Sequence, residues 1–327
     1  MQSFANRRAV VSGLIAVSLW ACSAVLVYSY PTRPVKIIAP FPPGTGSDLV
    51  ARILADFIAT NSSQQVTVEN RVGAVGNIGV DAVAKASPDG HALGLIPGTN
   101  IVINPFLYKH LPFDTTKDLI AIAPIAEATI AIAVNASVPA RNLKEFIEFA
   151  KANPGKLNYG SAGPGSISHL AAVQFARTAG IELMHVPYRG IVQAVTDLVA
   201  GHVQMVAGPI GPVIGSMPSE KLRVLVTFSP QRLPYLPEVP TTSEAGLRDY
   251  ELTTWFGLFA PTGTPKEIVA KLNGDVASMT REPVFRKRLL DNYLLPMSMS
   301  SEQFARLIAL DLTKWGRVVQ EAGLEPE

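Results

Sequence analysis

Beyond residue 30 the apolar positions fall into short Val/Ile-rich runs alternating with longer stretches of helical spacing. "VKIIAPF", "QQVTVEN" and "HALGLIP" read as strands, with "DLVARILADFIAT" and "GNIGVDAVAKAS" as helices between them. The same order returns as "KLNYGSA", "SISHLAAVQFARTAG", "IELMHVPY", "IVQAVTDLVAG" and "HVQMVAG". Strand-helix-strand alternation builds parallel sheet covered by helices, so the pattern predicts an α/β chain of two similar lobes. "DLIAIAPIAEATIAIAVN" is long enough for one extended crossing between them and "YELTTWFGLFAP" for a return. The first lobe is therefore expected over residues 30–124 and 252–327 and the second over 125–251, hinged on two crossing strands. "TPKEIVAKLNGDVASMT", "REPVFRKRLLDNY" and "SSEQFARLIALDLTKWGRVVQEAG" read as amphipathic helices, with Thr264-Pro265 and Ser300 or Ser301 as start signals. They follow the return crossing and so are placed back on the first lobe.

In open parallel sheets ligands bind beyond the carboxyl ends of the strands, where a helix N-terminus presents unpaired N–H groups and partial positive charge. Each lobe has a glycine loop at such a position. The first is "PPGTGSD", residues 42–48, and the second is "GSAGPGS", residues 160–166. Neither reads as a nucleotide loop. Leu49 stands where a third glycine would complete G-x-G-x-x-G after Gly44 and Gly46, and no G-K-[ST] follows any glycine run. A loop without lysine suits a smaller anion such as a carboxylate. Ser47 and Ser166 each stand where an N-cap hydroxyl would, a role compatible with donating to a ligand. Asp48 complements the helix dipole, and would repel an anion unless it points away or meets an ammonium group. Arg71 and Arg189, one after the second strand of each lobe, either clamp a distal carboxylate or tie down their loops.

The first 29 residues differ in kind. "MQSFANRR" followed by "AVVSGLIAVSLWACSAVLV" is a secretory signal pattern, with cleavage expected after Ser29 and Ala24 as the competing position. Export to the periplasm is expected, by the Sec route over a twin-arginine one, because Ala9-Val10-Val11 poorly continues Arg7-Arg8. Cys22 in "LWAC" gives a lipid-anchored alternative. Cys22 is also the only cysteine, so the mature chain has neither disulfide nor thiol chemistry and depends on its core. The chain has 327 residues, 48% of them apolar, enough for a large core. Without Arg7 and Arg8 its 28 basic residues become 26, matching 26 acidic ones, a balance that recruits neither nucleic acid nor an anionic membrane. His91, His110, His169, His185 and His202 show no metal-ligand spacing, and no metal or cofactor is expected.

Taken together, "YPTRPVKIIAPFPPGTGSDLVAR", "ENRVGAVGNIG", "SPDGHAL", "GSAGPGSISHL", "HVPYRG", "LPEVPTTSEAGL" and "WFGLFAPTGTP" resemble the tripartite tricarboxylate transporter receptor family, the Bug-type periplasmic solute receptors. The resemblance covers essentially the whole mature chain. It implies a two-lobed, Venus-flytrap binding protein, not an enzyme, that closes on a small organic acid and delivers it to membrane permease subunits. One ligand carboxylate would be held by the two helix-opening loops. Carried over by position, it implies Thr45, Gly46, Ser47 and Asp48 in the first lobe and Ser161, Gly163, Gly165, Ser166 and His169 in the second. Distal selectivity would fall to side chains such as Arg71, Asn100, Arg189 and Gly208.

The chain departs from the family pattern at Thr45, where glycine is usual, at Val72 and Val75 within the usual "NRPGAGG", at Val173, and at Gln204 and Gly208, where aspartate is frequent. With fewer acids to meet an ammonium group, a plain carboxylic acid is expected over an amino acid. An amino-acid or amide receptor, or a two-component sensing partner on the same scaffold, is the alternative. A Ser/His hydrolase built on Ser166 and His169 lacks a G-x-S-x-G elbow anywhere in the chain. A monomer is expected.

Overall fold

The computed structural model describes residues 30–247 and 252–326; the predicted signal, its cleavage positions and Cys22 lie outside the described residues. Strands β1 (Val35–Ala39), β2 (Val66–Asn70) and β3 (Ala92–Pro97) run parallel, with Ile37 of β1 opposite both Val68 and Leu93. Helices α1 (Gly46–Ser62) and α2 (Asn77–Ala84) make the crossovers, and the short α3 (Gly98–Val102) and α4 (Asn104–Leu107) follow β3. Both faces of β1 and β3 are covered, which is why these strands read as continuous apolar runs.

The first crossing is β4 (Leu119–Asn135), 17 residues long. Beyond it α5 (Leu143–Ala152) leads into a second parallel set, β5 (Asn158–Ser161), β6 (Met184–Pro187) and β7 (Met205–Pro209). Its helices are α6 (Ile167–Ala179), α7 (Ile191–Ala200) and α8 (Ile210–Ser216), and β8 (Leu222–Thr227) completes it. The return crossing is β9 (Thr253–Pro261), followed by α9 (Lys266–Met279), α10 (Pro283–Leu290), β10 (Leu294–Pro296) and α11 (Ser301–Glu321).

The strand order β2-β1-β3-β9-β4-β7-β5-β6 places the two lobes on either side of one shared strand. The first part of β4 pairs antiparallel with β9, from Leu119 opposite Pro261 to Thr129 opposite Thr253. From Ile130 onward it pairs instead with β7, and β8 lies along its other edge. The crossing predicted from the first apolar run is thus one unbroken β4 handed from one sheet to the other, and the return run is β9 beside it.

Packing follows the same division. One face of the first sheet packs Val50, Leu54 and Phe57 of α1 with Leu272 and Val276 of α9, while Val195 and Leu198 of α7 cover one face of the second. The remaining core is continuous between the lobes, running from Val80 and Ile96 through Phe304 and Trp315 of α11 to Phe146 and Phe175. Ser300 caps α11 with a reciprocal Gln303 bond, and Trp255 of β9 donates its Nε1 proton to Asp311 Oδ2 at 2.8 Å. The far end of α11 reaches the second lobe, where Glu321 pairs with Arg177 of α6 at 3.1 Å. The last helix therefore packs on both lobes, more than its place after the return crossing predicts.

Candidate functional site

The loop after β1 turns at Gly44, whose φ of +83° is costly for other residues. Thr45 Oγ1 donates to Pro42 O at 2.7 Å, which fixes the turn, and α1 begins at Gly46. The expectation that Ser47 is the N-cap is corrected: α1 begins at Gly46, so Thr45 holds that position, and its hydroxyl, turned to the Pro42 carbonyl, accepts no capping bond from the helix. Ser47 lies inside the first turn, 1% exposed, and its nearest polar partner among the described residues is Thr45 Oγ1 at 3.4 Å. Gly46 lies under the Phe256 ring, whose Cζ would stand 2.6 Å from an added Cβ. The start of α1 is an uncapped set of N–H donors with one buried hydroxyl beside it.

Asp48 is engaged by its own loop and by α1 and β2. Its carboxylate accepts from Gly44 N, Arg52 Nε and Nη2 and Asn70 Nδ2 at 2.9 to 3.0 Å, and Asn70 Nδ2 also donates to Phe41 O. Burial pushes its pKa up, but the Arg52 side chain, the Gly44 N–H and Asn70 outweigh this and hold it below the ordinary aspartate value. The repulsion of an anion anticipated from the sequence is thereby removed, and Asp48 acts as the staple of the loop.

The second loop is held by different chemistry. Ser166 is a true N-cap: its Oγ accepts from His169 N at 3.3 Å and donates to Gly163 O at 2.7 Å. Ser168 Oγ accepts from Ala162 N, and Ser161 Oγ, fully buried, accepts from Gly163 N at 3.1 Å and lies 2.6 Å from His185 Nε2. His169 Nδ1 accepts the Gly165 N–H at 3.2 Å. The His169 and His185 rings stack at 4.2 Å, and Tyr159 stacks on His185 at 4.9 Å. Burial, then the neighbouring His185, pushes His169 down to about 4, and burial lowers His185 as well. Two neutral imidazoles thus support the loop from beneath. The sequence reads His185 only as one of five histidines without ligand spacing; its place in β6, opposite Tyr159 and two positions from Ser161 across the strand pair, is what the structure adds.

The remaining expected residues are more scattered. Asn100, 1% exposed in α3, donates Nδ2 to Val75 O at 2.9 Å, and its Oδ1 is buried without a hydrogen-bond partner. Arg71 is exposed and pairs with Glu69, so its guanidinium ties down β2. Arg189 is exposed, and its backbone N–H donates to Gln193. Gly208 packs against Ile191, whose Cδ1 would stand 2.7 Å from an added Cβ.

The second loop crosses to the first lobe. An added Cβ at Gly165 would meet Leu107 Cδ1 at 2.5 Å, and Ile167 lines a small gap with Gly98, Thr99 and Trp255. A cavity of about 460 Å³ lies between β1, β2 and α2 with no residue of either glycine loop, and Arg33 and Lys36 in its lining are paired with Asp89 and Glu69. Among the described residues no group of three or more His, Cys, Asp or Glu side chains could hold a metal ion, and no helix is long and apolar enough to cross a membrane.

Residues 50–324 match the model of the tripartite tricarboxylate transporter family receptor. The chain belongs to this receptor family. BugT of Bordetella pertussis is 30% identical to the receptor over 97% of its chain and 98% of BugT. Among solved structures, R. palustris Rpa4515 with adipate gives a TM-score of 0.82 at 30% identity, covering 91% of the receptor and 100% of that chain. MatC from Rhodopseudomonas palustris with bound malate gives 0.75 at 31% identity, covering 89% and 100%. The receptor therefore has the two-lobed architecture of Bug-type periplasmic solute-binding proteins, as its repeated pattern and its motifs predict.

Proposed function

We propose that the receptor captures a small organic carboxylate between its lobes and presents it to the membrane subunits of a tripartite transporter. The observation that carries this reading is the uncapped N-terminus of α1: N–H donors converge there beside the buried Ser47 hydroxyl, and the neighbouring Asp48 carboxylate is already engaged by Gly44, Arg52 and Asn70. A helix N-terminus of this kind favours an anion. The relatives solved with adipate and malate support a carboxylate as that anion. In this reading Thr45, Gly46, Ser47, Ser161, Gly163, Gly165, Ser166 and His169 shape the two loops that hold the carboxylate, and Asn100 and Arg189 are the candidates for the distal part of the ligand. Ser47 donates to the carboxylate directly. Ser166 can do so only by releasing Gly163 O, to which its proton is now given.

The same reading takes residues 30–124 and 252–327 as one lobe, 125–251 as the other, and 1–29 as a signal removed on export to the periplasm, the mature receptor acting as a monomer. Its role is binding without catalysis. Ser166 meets the backbone N–H of His169 and not its ring, and Ser161, the hydroxyl that does meet an imidazole, is fully buried beside His185 with no carboxylate among its bonded partners to orient that ring.

Calorimetric titration of the mature protein with the acid found by native mass spectrometry tests the proposal. A hydrogen bond to a charged acceptor is worth roughly 1.5–3 kcal/mol, so Ser47→Ala is expected to weaken binding about ten- to a hundredfold. Unchanged affinity in a normally folded Ser47→Ala protein overturns the site.

A further inference from the structure

A cavity of about 260 Å³ opens between the lobes next to the second glycine loop, lined by Val75, Leu107 and Tyr108 on one side, Pro164 and Gly165 on the other, and Leu324 near the C-terminus. Two links tie it to residues described above: one to the second glycine loop and one to Asn100 of the first lobe. Gly165 directly precedes the Ser166 cap, and the Val75 carbonyl is bonded to Asn100 in α3.

Val75 is out of place by ordinary conformational rules. Its φ of +51° lies in the left-handed region, which β-branched residues avoid, and Ala74 before it is also left-handed at +45°. Glycine would adopt this turn without strain. Here the strained backbone is held by Asn100 and by flanking glycines, and the valine side chain stands 61% exposed at the cavity, with Val72 and Ile78 exposed nearby. An apolar side chain kept at a conformational cost and left facing a void calls for an apolar partner. The ionisable carboxyl in the lining is Glu325, whose charge opposes a second carboxylate. Arg71, the cation nearest in sequence to Val75, is paired with Glu69.

We propose that the acid taken by this receptor is a monocarboxylate with an apolar body, such as an aryl or branched alkyl group, seated against Val75, Leu107 and Pro164 with its carboxylate on the α1 loop. The proposal rests on the carboxylate reading above and narrows it to one class of ligand. The cavity has room for a phenyl ring or a branched chain. It offers no cation among its described lining residues to a distal charge, so di- and tricarboxylates are rejected by desolvation and by Glu325.

Calorimetric titration with benzoate, phenylacetate and isocaproate, set against succinate, adipate and citrate, tests this. The first group is expected to bind at least tenfold more tightly. A buried methylene in an apolar pocket changes affinity roughly ten- to two-hundredfold, so Val75→Gly is expected to weaken the apolar acids about tenfold or more while sparing the dicarboxylates. Because glycine relieves the strained turn, this variant is expected to keep its melting temperature. Glu325→Lys is expected to strengthen adipate about tenfold and leave benzoate unchanged. Dicarboxylates binding more tightly than the apolar acids, or Val75→Gly weakening both groups equally, overturns the proposal. Ser47→Ala separates the two levels: if it weakens whichever acids bind, the carboxylate site stands even where the apolar preference fails. If it weakens none, or no acid binds, both fail.

Discussion

The two glycine loops occupy equivalent places in equivalent lobes, yet they are stabilised in opposite ways. In the first, one carboxylate, Asp48, gathers the loop by charge-assisted bonds to Gly44, Arg52 and Asn70, and the helix end is left uncapped. In the second, neutral hydroxyls and imidazoles do the same work, and the helix end is capped by Ser166. The first lobe therefore keeps its donors available, while the second has spent its hydroxyl protons internally. On the proposed reading, an anion would meet its stronger partner on the first lobe, and the second would join on closure, the ligand replacing bonds the loop now makes to itself. Closure then rests on differential contact, as any ligand-driven shift must.

The largest expected break in this comparison is Asp48→Ala. It leaves Gly44 N and Asn70 without their acceptor, while Arg52 stays half exposed and hydrated, and is expected to cost about 2–4 kcal/mol for the lost bonds to a charged acceptor, read as a lower denaturation midpoint in urea. A loss under 1 kcal/mol would show that the loop stands without its staple.

Acid separates the lobes next. A histidine held neutral in the folded state binds fewer protons than in the unfolded chain. His169 therefore contributes its full stability above pH 6.5, and this is lost as pH falls toward and through about 4. A shift of this size corresponds to roughly 3 kcal/mol. Asp48, whose pKa is also depressed, loses its contribution only below its ordinary value of 3.8. Melting temperature followed from pH 7 to 4 is expected to fall, and to fall much less in His169→Gln, whose side-chain oxygen can take the Gly165 N–H without titrating. Parallel profiles for the two proteins would remove the imidazole from the account.

A smaller effect contrasts two left-handed glycines. Gly44→Ala meets nothing within 4 Å and is expected to cost about 1 kcal/mol from its φ alone. Gly165→Ala carries the same strain and also drives a methyl into Leu107, so it is expected to cost more and to hold the lobes apart. Small-angle scattering with saturating ligand checks this: the radius of gyration should shrink in Gly44→Ala and stay large in Gly165→Ala.

The smallest contrast concerns the serines. Ser166→Ala removes a cap and is expected to cost about 1 kcal/mol, whereas Ser47→Ala, which caps nothing, should stay within about 0.5 kcal/mol of the parent in thermal unfolding. Equal losses would show that position, and not capping, sets the stability of these loops.

The sequence by itself determined the alternation of strands and helices, the two-fold repetition of the lobes, the two crossings and the family. Each is written in local periodicity or in motifs of a few residues, such as Ser300 with Gln303 three positions on. It also located both loops, because glycine and serine ahead of an apolar helix is a local signal. What only the tertiary structure decided depends on partners far apart in the chain. Whether Asp48 repels or staples was settled by Asn70, 22 residues away. His185 reaches Ser161 from the neighbouring strand, Asn100 holds Val75 across 25 residues, and Leu107 meets Gly165 from the other lobe. Periodicity reports which face of an element is buried; it carries no record of which element arrives there. Hydrogen-bond protons and close contacts are assigned only when the sheets bring those elements together.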